Sequence, residues 1–284
     1  MTSKIIRFVT DSTCDIPLEV IRKYKIGIVP AFVNYNGKSF ADDGVELDRQ
    51  KYYEVMPTLS SHPTTSAPSP ALAERVIRET FEGADHLVMI SVPAALSGIY
   101  NALRLGAADL PQERITQIDS GTVSMGLGYQ VLAGVEAAEA TGDLNAVLDA
   151  IERARQHEKL YAAPESMEYL RRSGRVGWAT ASAAALLQIK PIIEVIDSKV
   201  ESIARVRTFA RAIDKIVELV EAQAPLDRLT LLHTNNPEGA LEIKNRLGNL
   251  APAETYIVNA TPAIGTHVGP KALGAATLNT AWRR

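Results

Sequence analysis

The chain has 284 residues, 46% of them hydrophobic and 22% charged, which leaves room for two globular domains or one large one. A formal net charge of -3 gives no long-range attraction toward nucleic acid or an anionic membrane. The single cysteine, Cys14, excludes an internal disulfide, and no run of about twenty apolar residues exists to cross a bilayer, so the sequence reads as a soluble cytoplasmic protein without stable membrane insertion.

In chain order, "KIIRFVTDSTCDIPLEVIRKYK" predicts strand, polar loop and helix, with Asp15 as helix cap and Pro17 in the first turn. "IGIVPAFVNYNGKSFADD" carries strand signals around Asn36-Gly37, a favoured hairpin turn. A helix follows from Ser69-Pro70, then the apolar strand "HLVMISV", the loop and helix of "ALSGIYNALRLGAADL", and the strand "RITQIDS". "GTVSMGLGYQVLAGVEAAEATG" predicts a helix of small residues suited to close packing. Alternating strands and helices through about residue 160 predict an open, mainly parallel sheet with helices on both faces. The polar loops "TDSTCD", "VPAALSG" and "DSGTVS" follow strands, where ligands bind in such sheets.

The second half differs. "KPIIEVIDSKVESIARV" predicts two strands around Asp197-Ser198; a helix over about 208–222, strand "RLTLLHT", helix "PEGALEIKNRLGNL" and strand "ETYIVN" follow. "IGTHVGPKALG" and strand "GAATLN" close the chain. This is the pattern of an α+β domain on a mixed sheet. The expected division is residues 1–160 and 161–284.

Standard chemistries fit poorly. "GTVSMGLG" lacks the Lys-Ser/Thr of a phosphate-binding loop, and no G-x-G-x-x-G follows the first strand. Neither Ser97 nor Ser124 stands in G-x-S-x-G, and the five histidines are scattered without zinc spacing, so no metal or other cofactor is expected. A hydrolase or acyl-transfer enzyme using Ser97 or Cys14 with His267 stays open as an alternative. The remaining chemistry is a set of neutral donors: Thr64, Thr65 and Ser66 before one helix, Ser97 before another, and Thr266 with His267 between glycines. Neutral donors can hold a carboxylate without burying a second charge. Taken singly, hydroxyls before helices are more often caps than ligands.

The ordered set "VTDSTCDIP", "TTSAPSP", "LSGIYNA", "DSGTVSMGLG", "YLRRSGRVG", "LLQIKPIIEV" and "IGTHVGPKALG" resembles the DegV family over nearly the whole chain. The resemblance implies two α/β domains with a long-chain fatty acid between them, its acyl chain in an apolar tunnel and its carboxylate held by hydroxyls and a histidine. It also implies a FakB-like role: a carrier, not itself an enzyme, that presents the carboxylate to a separate ATP-dependent fatty acid kinase for acyl-phosphate formation in phospholipid synthesis. Carried over by motif, Thr65, Ser97, Thr266 and His267 are the expected carboxylate donors, and Ser66 and Gly98 support them. Arg175 either pairs with the carboxylate or holds the loop by bonding carbonyls. Arg205, Arg207 and Arg211 either dock the kinase or form a solvated helix start; Arg207 and Arg211 share a helix face only if the helix has begun by residue 207. Ala67 and Ile99 depart from the family's glutamine and threonine, and the loop before Leu96 contains Pro93. "ATASAAALLQIKPII" and "SMGLG" offer small and apolar side chains to bound a tunnel.

Overall fold

The computed structural model describes residues 4–180 and 189–284; the tunnel-lining expectation for residues 181–188 lies outside the described residues. Strands β1 (Ile6–Asp11), β2 (Gly27–Val29), β6 (His86–Ser91) and β7 (Ile115–Asp119) form a parallel sheet in the order β2-β1-β6-β7. The central strands β1 and β6 are buried on both faces, and side-chain alternation sorts them. Val9, Leu87 and Met89 meet the helices Pro70–Phe81 and Ile99–Gly106. Phe8, Val88 and Ile90 meet the helices Ser124–Thr141 and Leu144–His157.

A small antiparallel sheet, in the order β4-β3-β5, is built from β3 (Phe32–Tyr35), β4 (Lys38–Ala41) and β5 (Thr64–Ser66). Asn36 and Gly37 both have positive φ in the β3–β4 turn, as the predicted hairpin requires.

The six-stranded mixed sheet contains β8 (Glu158–Ala163), β9 (Lys190–Ile196), β10 (Lys199–Val206), β11 (Leu226–His233), β12 (Tyr256–Asn259) and β13 (Leu273–Asn279), in the order β10-β9-β8-β13-β11-β12. Only β11 and β12 pair in parallel. β8 spans the expected 160/161 division and pairs entirely within this sheet. One face packs on the helices Phe209–Glu221 and Pro237–Leu247.

The other face, through Leu160, Leu232, Ala276 and Leu278, shares a core with Phe8, Val88 and Ile90 of the parallel sheet. The Ser124–Thr141 helix therefore lies between two sheets. Residues Ser124 through Val135 are all buried, so this stretch of the helix has no solvent-facing side. Close approach demands its glycines: a Cβ on Gly134 would come within 2.8 Å of Phe8 and 2.9 Å of Ile151. Among the described residues no helix is long and apolar enough to cross a membrane.

Two local expectations are corrected. Asp15 does not cap the Leu18–Tyr24 helix, whose N-cap position is Pro17 without a side-chain bond. Asp15 instead reaches across the molecule to Ser124 and Thr261. The helix after β10 begins at Phe209 with Thr208 as its N-cap, so Arg207 precedes it and does not share a helix face with Arg211.

Candidate functional site

A cavity of about 180 Å³ lies where the carboxyl ends of the parallel sheet meet the inner face of the mixed sheet. Its floor crosses four neighbouring strands in register: Ile193 of β9, Ala162 of β8, Gly274 of β13 and Leu232 of β11. Residues two apart on a strand share a face, so Leu160 and Val195 continue that floor. Gly274 is required there, because a Cβ would come within 2.7 Å of the Tyr161 carbonyl oxygen. Leu96, Ile99, Val123, Ala263 and Val268 add further apolar lining.

Polar side chains enter the lining in two groups. The first contains Thr65, Ser66, Ser97, Arg175 and His267. Thr65 sits at the centre of β5, where pairing with Val33 fixes it. Its Oγ1 lies 2.9 Å from His267 Nε2. His267 Nδ1 is buried without a partner. Burial lowers the imidazole pKa to about 4, helped by the positive Arg175 and by His62, so the ring is neutral at pH 7. A neutral imidazole carries one N–H and threonine one O–H. Their mutual bond uses one of these hydrogens and leaves the other for a ligand.

Ser97 Oγ accepts a hydrogen bond from Ile99 N at 3.3 Å, which leaves its own hydrogen to donate. Ser66 Oγ accepts from Asn34 at 3.3 Å. Arg175 donates to the carbonyls of Leu96 (3.3 Å) and Ser173 (2.8 Å), the loop-holding arrangement of the two weighed above. Gly98 sits where a Cβ would come within 3.4 Å of the Ala67 methyl.

Thr266 is corrected. The "IGTHVG" segment is a short helix, Pro262–Val268, and not a loop. Thr266 is fully buried and is not among the residues that line the cavity, whereas its neighbours His267 and Val268 are. The Thr266 hydroxyl donates to Pro262 O (2.8 Å) and lies 2.7 Å from the Tyr52 hydroxyl. The flanking glycines also have another purpose. A Cβ on Gly265 would overlap the Tyr53 ring, and Gly269 has φ +86 beneath Tyr169.

The second polar group, Thr13, Ser124, His233 and Thr234, was missed by sequence reasoning. Its signal was present: Thr13 and Ser124 fall in the segments "TDSTCD" and "DSGTVS" after β1 and β7, Ser124 as the first residue of its helix, and His233 and Thr234 end and follow β11. Three of its hydroxyls already donate within the protein. Thr13 donates to Asp11 (2.5 Å), Ser124 to Asp15 (2.6 Å) and Thr234 to Gly269 O (2.7 Å). His233 Nδ1 accepts from Asn236 N at 3.2 Å. The acids of the polar loops likewise hold backbone: Asp11 accepts from Val92 N at 2.8 Å and Asp119 from Ala94 N at 3.0 Å.

Residues 5–280 match the profile described as "Uncharacterised protein, DegV family". The chain belongs to the DegV family. A DegV domain-containing protein of Streptomyces coelicolor is 30% identical over 278 residues, spanning 96% of this chain and 98% of that protein. A DegV family protein from Thermus thermophilus, whose solved structure is described by its fatty acid binding, matches with a TM-score of 0.88 at 29% identity, over 97% of this chain and 99% of that one. DegV of Bacillus subtilis, described as a fatty acid binding protein, matches with a TM-score of 0.87 at 26% identity, over 98% and 100% of the respective chains.

Within this DegV fold, Ala67 and Ile99 both line the cavity. Ala67 and the buried Ile99 give this part of the cavity an apolar wall. The geometry does not favour a nucleophilic enzyme. Cys14 is buried in the core, and burial pushes its thiol pKa up. His267 Nε2 is engaged by Thr65, not by Ser97.

Proposed function

We propose that this DegV chain carries a long-chain fatty acid in the cavity, with the carboxylate at Thr65, Ser97 and His267. The observation that carries the reading is the Thr65–His267 pair, which brings a free neutral donor to a cavity whose floor is apolar. The fatty acid binding described for the Thermus thermophilus and Bacillus subtilis relatives supports the same reading. Each buried CH₂ contributes about 0.8 kcal/mol, so the acyl chain supplies most of the affinity. The carboxylate cannot be buried bare, and donors at the head group fix which way the ligand lies.

The carrier then offers its carboxylate to a separate ATP-dependent kinase that forms the acyl-phosphate. A carboxylate oxygen attacking ATP has no proton to lose, so His267 serves as grip and not as general base. The exposed Arg205, Arg207 and Arg211 are the proposed docking residues for that kinase. The test is to denature the purified protein and analyse its organic extract by mass spectrometry. One fatty acid per chain is expected. A protein that emerges empty and hydrolyses acyl esters would overturn the reading.

A further inference from the structure

The Thr65–His267 contact joins residues 202 positions apart, so something must hold both to a common reference. The small antiparallel sheet supplies one. Thr65 lies in β5, opposite Val33 of β3. On the other side of β3, β4 ends at Ala41, and Asp42 continues the ladder by donating its N–H to Ala31 O at 2.8 Å. The Asp42 side chain then leaves the sheet. Its Oδ2 accepts from Ala263 N at 3.0 Å, in the first turn of the helix that carries His267.

That helix is gripped elsewhere along its length. Tyr53 donates to Ala260 O and Thr261 O at 2.8 and 3.0 Å, and Tyr52 meets Thr266 at 2.7 Å. Asp42 differs from these in two respects. It is the direct extension of the sheet that holds Thr65. It is also expensive in its own right: the residue is 2% exposed, and among the described residues its Oδ1 meets no hydrogen-bond partner, although Arg49 and Thr261 ease the burial of the carboxyl. A buried acid left half-satisfied costs the fold free energy, and a bond worth that cost has another use.

We infer that Asp42 is a positioning residue, which ties the His267 helix to the β4-β3-β5 sheet so that the imidazole meets Thr65 at the cavity wall. Its bearing on ligand binding rests on the head-group role proposed above; its effect on the imidazole does not.

The ligand-free protein tests it by NMR titration of the His267 ring, with affinity for a fluorescent fatty acid measured in parallel. In Asp42→Ala the ring is released from its enclosed position, and its pKa rises from about 4 by at least one unit. Affinity falls at least tenfold. Asp42→Asn keeps an acceptor for Ala263 N and returns the His267 titration to the wild-type value and the affinity to within about twofold. An unchanged His267 titration in Asp42→Ala overturns the inference. So does failure of both Asp42→Ala and the size-matched Asp42→Leu to fold, since a positioning residue is dispensable to the fold. A shifted titration with unchanged affinity upholds the positioning and instead removes His267 from the head-group site.

Discussion

His267 illustrates how burial and partnership set a side chain's work. Its ring is kept neutral by desolvation first and by the nearby Arg175 second. The unfolded chain therefore takes up a proton at about pH 6.5 that the native ring resists until about pH 4. A lowered imidazole pKa means stability lost on acidification. Compared with His267→Gln in chemical denaturation, the wild type should lose relative stability as pH falls from about 6.5 to 4. Glu158 has the opposite sign. Buried against Thr122 with an unpartnered Oε2, its carboxyl is pushed up to about 8 by burial. Wild type should lose stability relative to Glu158→Gln as pH rises from about 4.5 to 8, because the native state must give up a proton the unfolded chain has already lost. For binding, His267→Ala removes a hydrogen bond at a charged head group, a loss of about 1.5–3 kcal/mol. Fatty-acid affinity, read by calorimetry, should fall about 10- to 150-fold while the thermal unfolding curve keeps its shape. Thr65 and His267 could be singled out in the sequence because hydroxyls and a glycine-flanked histidine stand out one by one. Thr266 could not be sorted from His267, because its burial against the Tyr52 hydroxyl depends on a contact 214 residues away in sequence.

At the scale of elements, turn chemistry was the most legible signal. Asn36-Gly37 and Asp197-Ser198 both close hairpins with positive φ at each central residue. Ser69 caps its helix with Pro70 in the first turn. Two strands escaped notice for physical reasons. β5 is three residues long, too short to show a period, and is held only by β3. β8 starts directly where the Leu144–His157 helix ends, with no turn residue to mark the change. The Ser124–Thr141 helix was legible as small and apolar, but not as the layer between two sheets, since that depends on pairing across the whole chain. Its packing yields a direct test. Gly134→Ala drives a methyl into Phe8 and Ile151, and overpacking of this kind costs about 1–3 kcal/mol. Thermal unfolding should show a lowered midpoint, whereas Gly44→Ala, at an open exposed turn with nothing within 4 Å, should register only the strain of its positive φ.

The whole molecule stacks helix pair, parallel sheet, central helices, mixed sheet and second helix pair, with the cavity at the edge of the central layer. Binding and docking should separate on this plan. Arg205 lies on β10, an edge strand of the mixed sheet, and Arg207 directly follows it, whereas Thr65 belongs to the small antiparallel sheet and His267 to the Pro262–Val268 helix. Reversing the charges of Arg205 and Arg207 together should abolish coupling to a kinase, assayed as acyl-phosphate formation, and leave fatty-acid retention intact.

The mixed sheet also has a consequence in time. β13 is the last strand in sequence, yet it sits near the sheet's centre, between β8 and β11. A growing chain that has not yet released Leu273 from the ribosome holds β8 and β11 as two unpaired edges, with no strand between them. Such edges invite pairing with other chains, and contacts this distant in sequence form slowly. The cavity floor is completed only when Gly274 slots between Ala162 and Leu232. The arrival of β13 thus joins the two halves of the sheet and completes the cavity floor in one event.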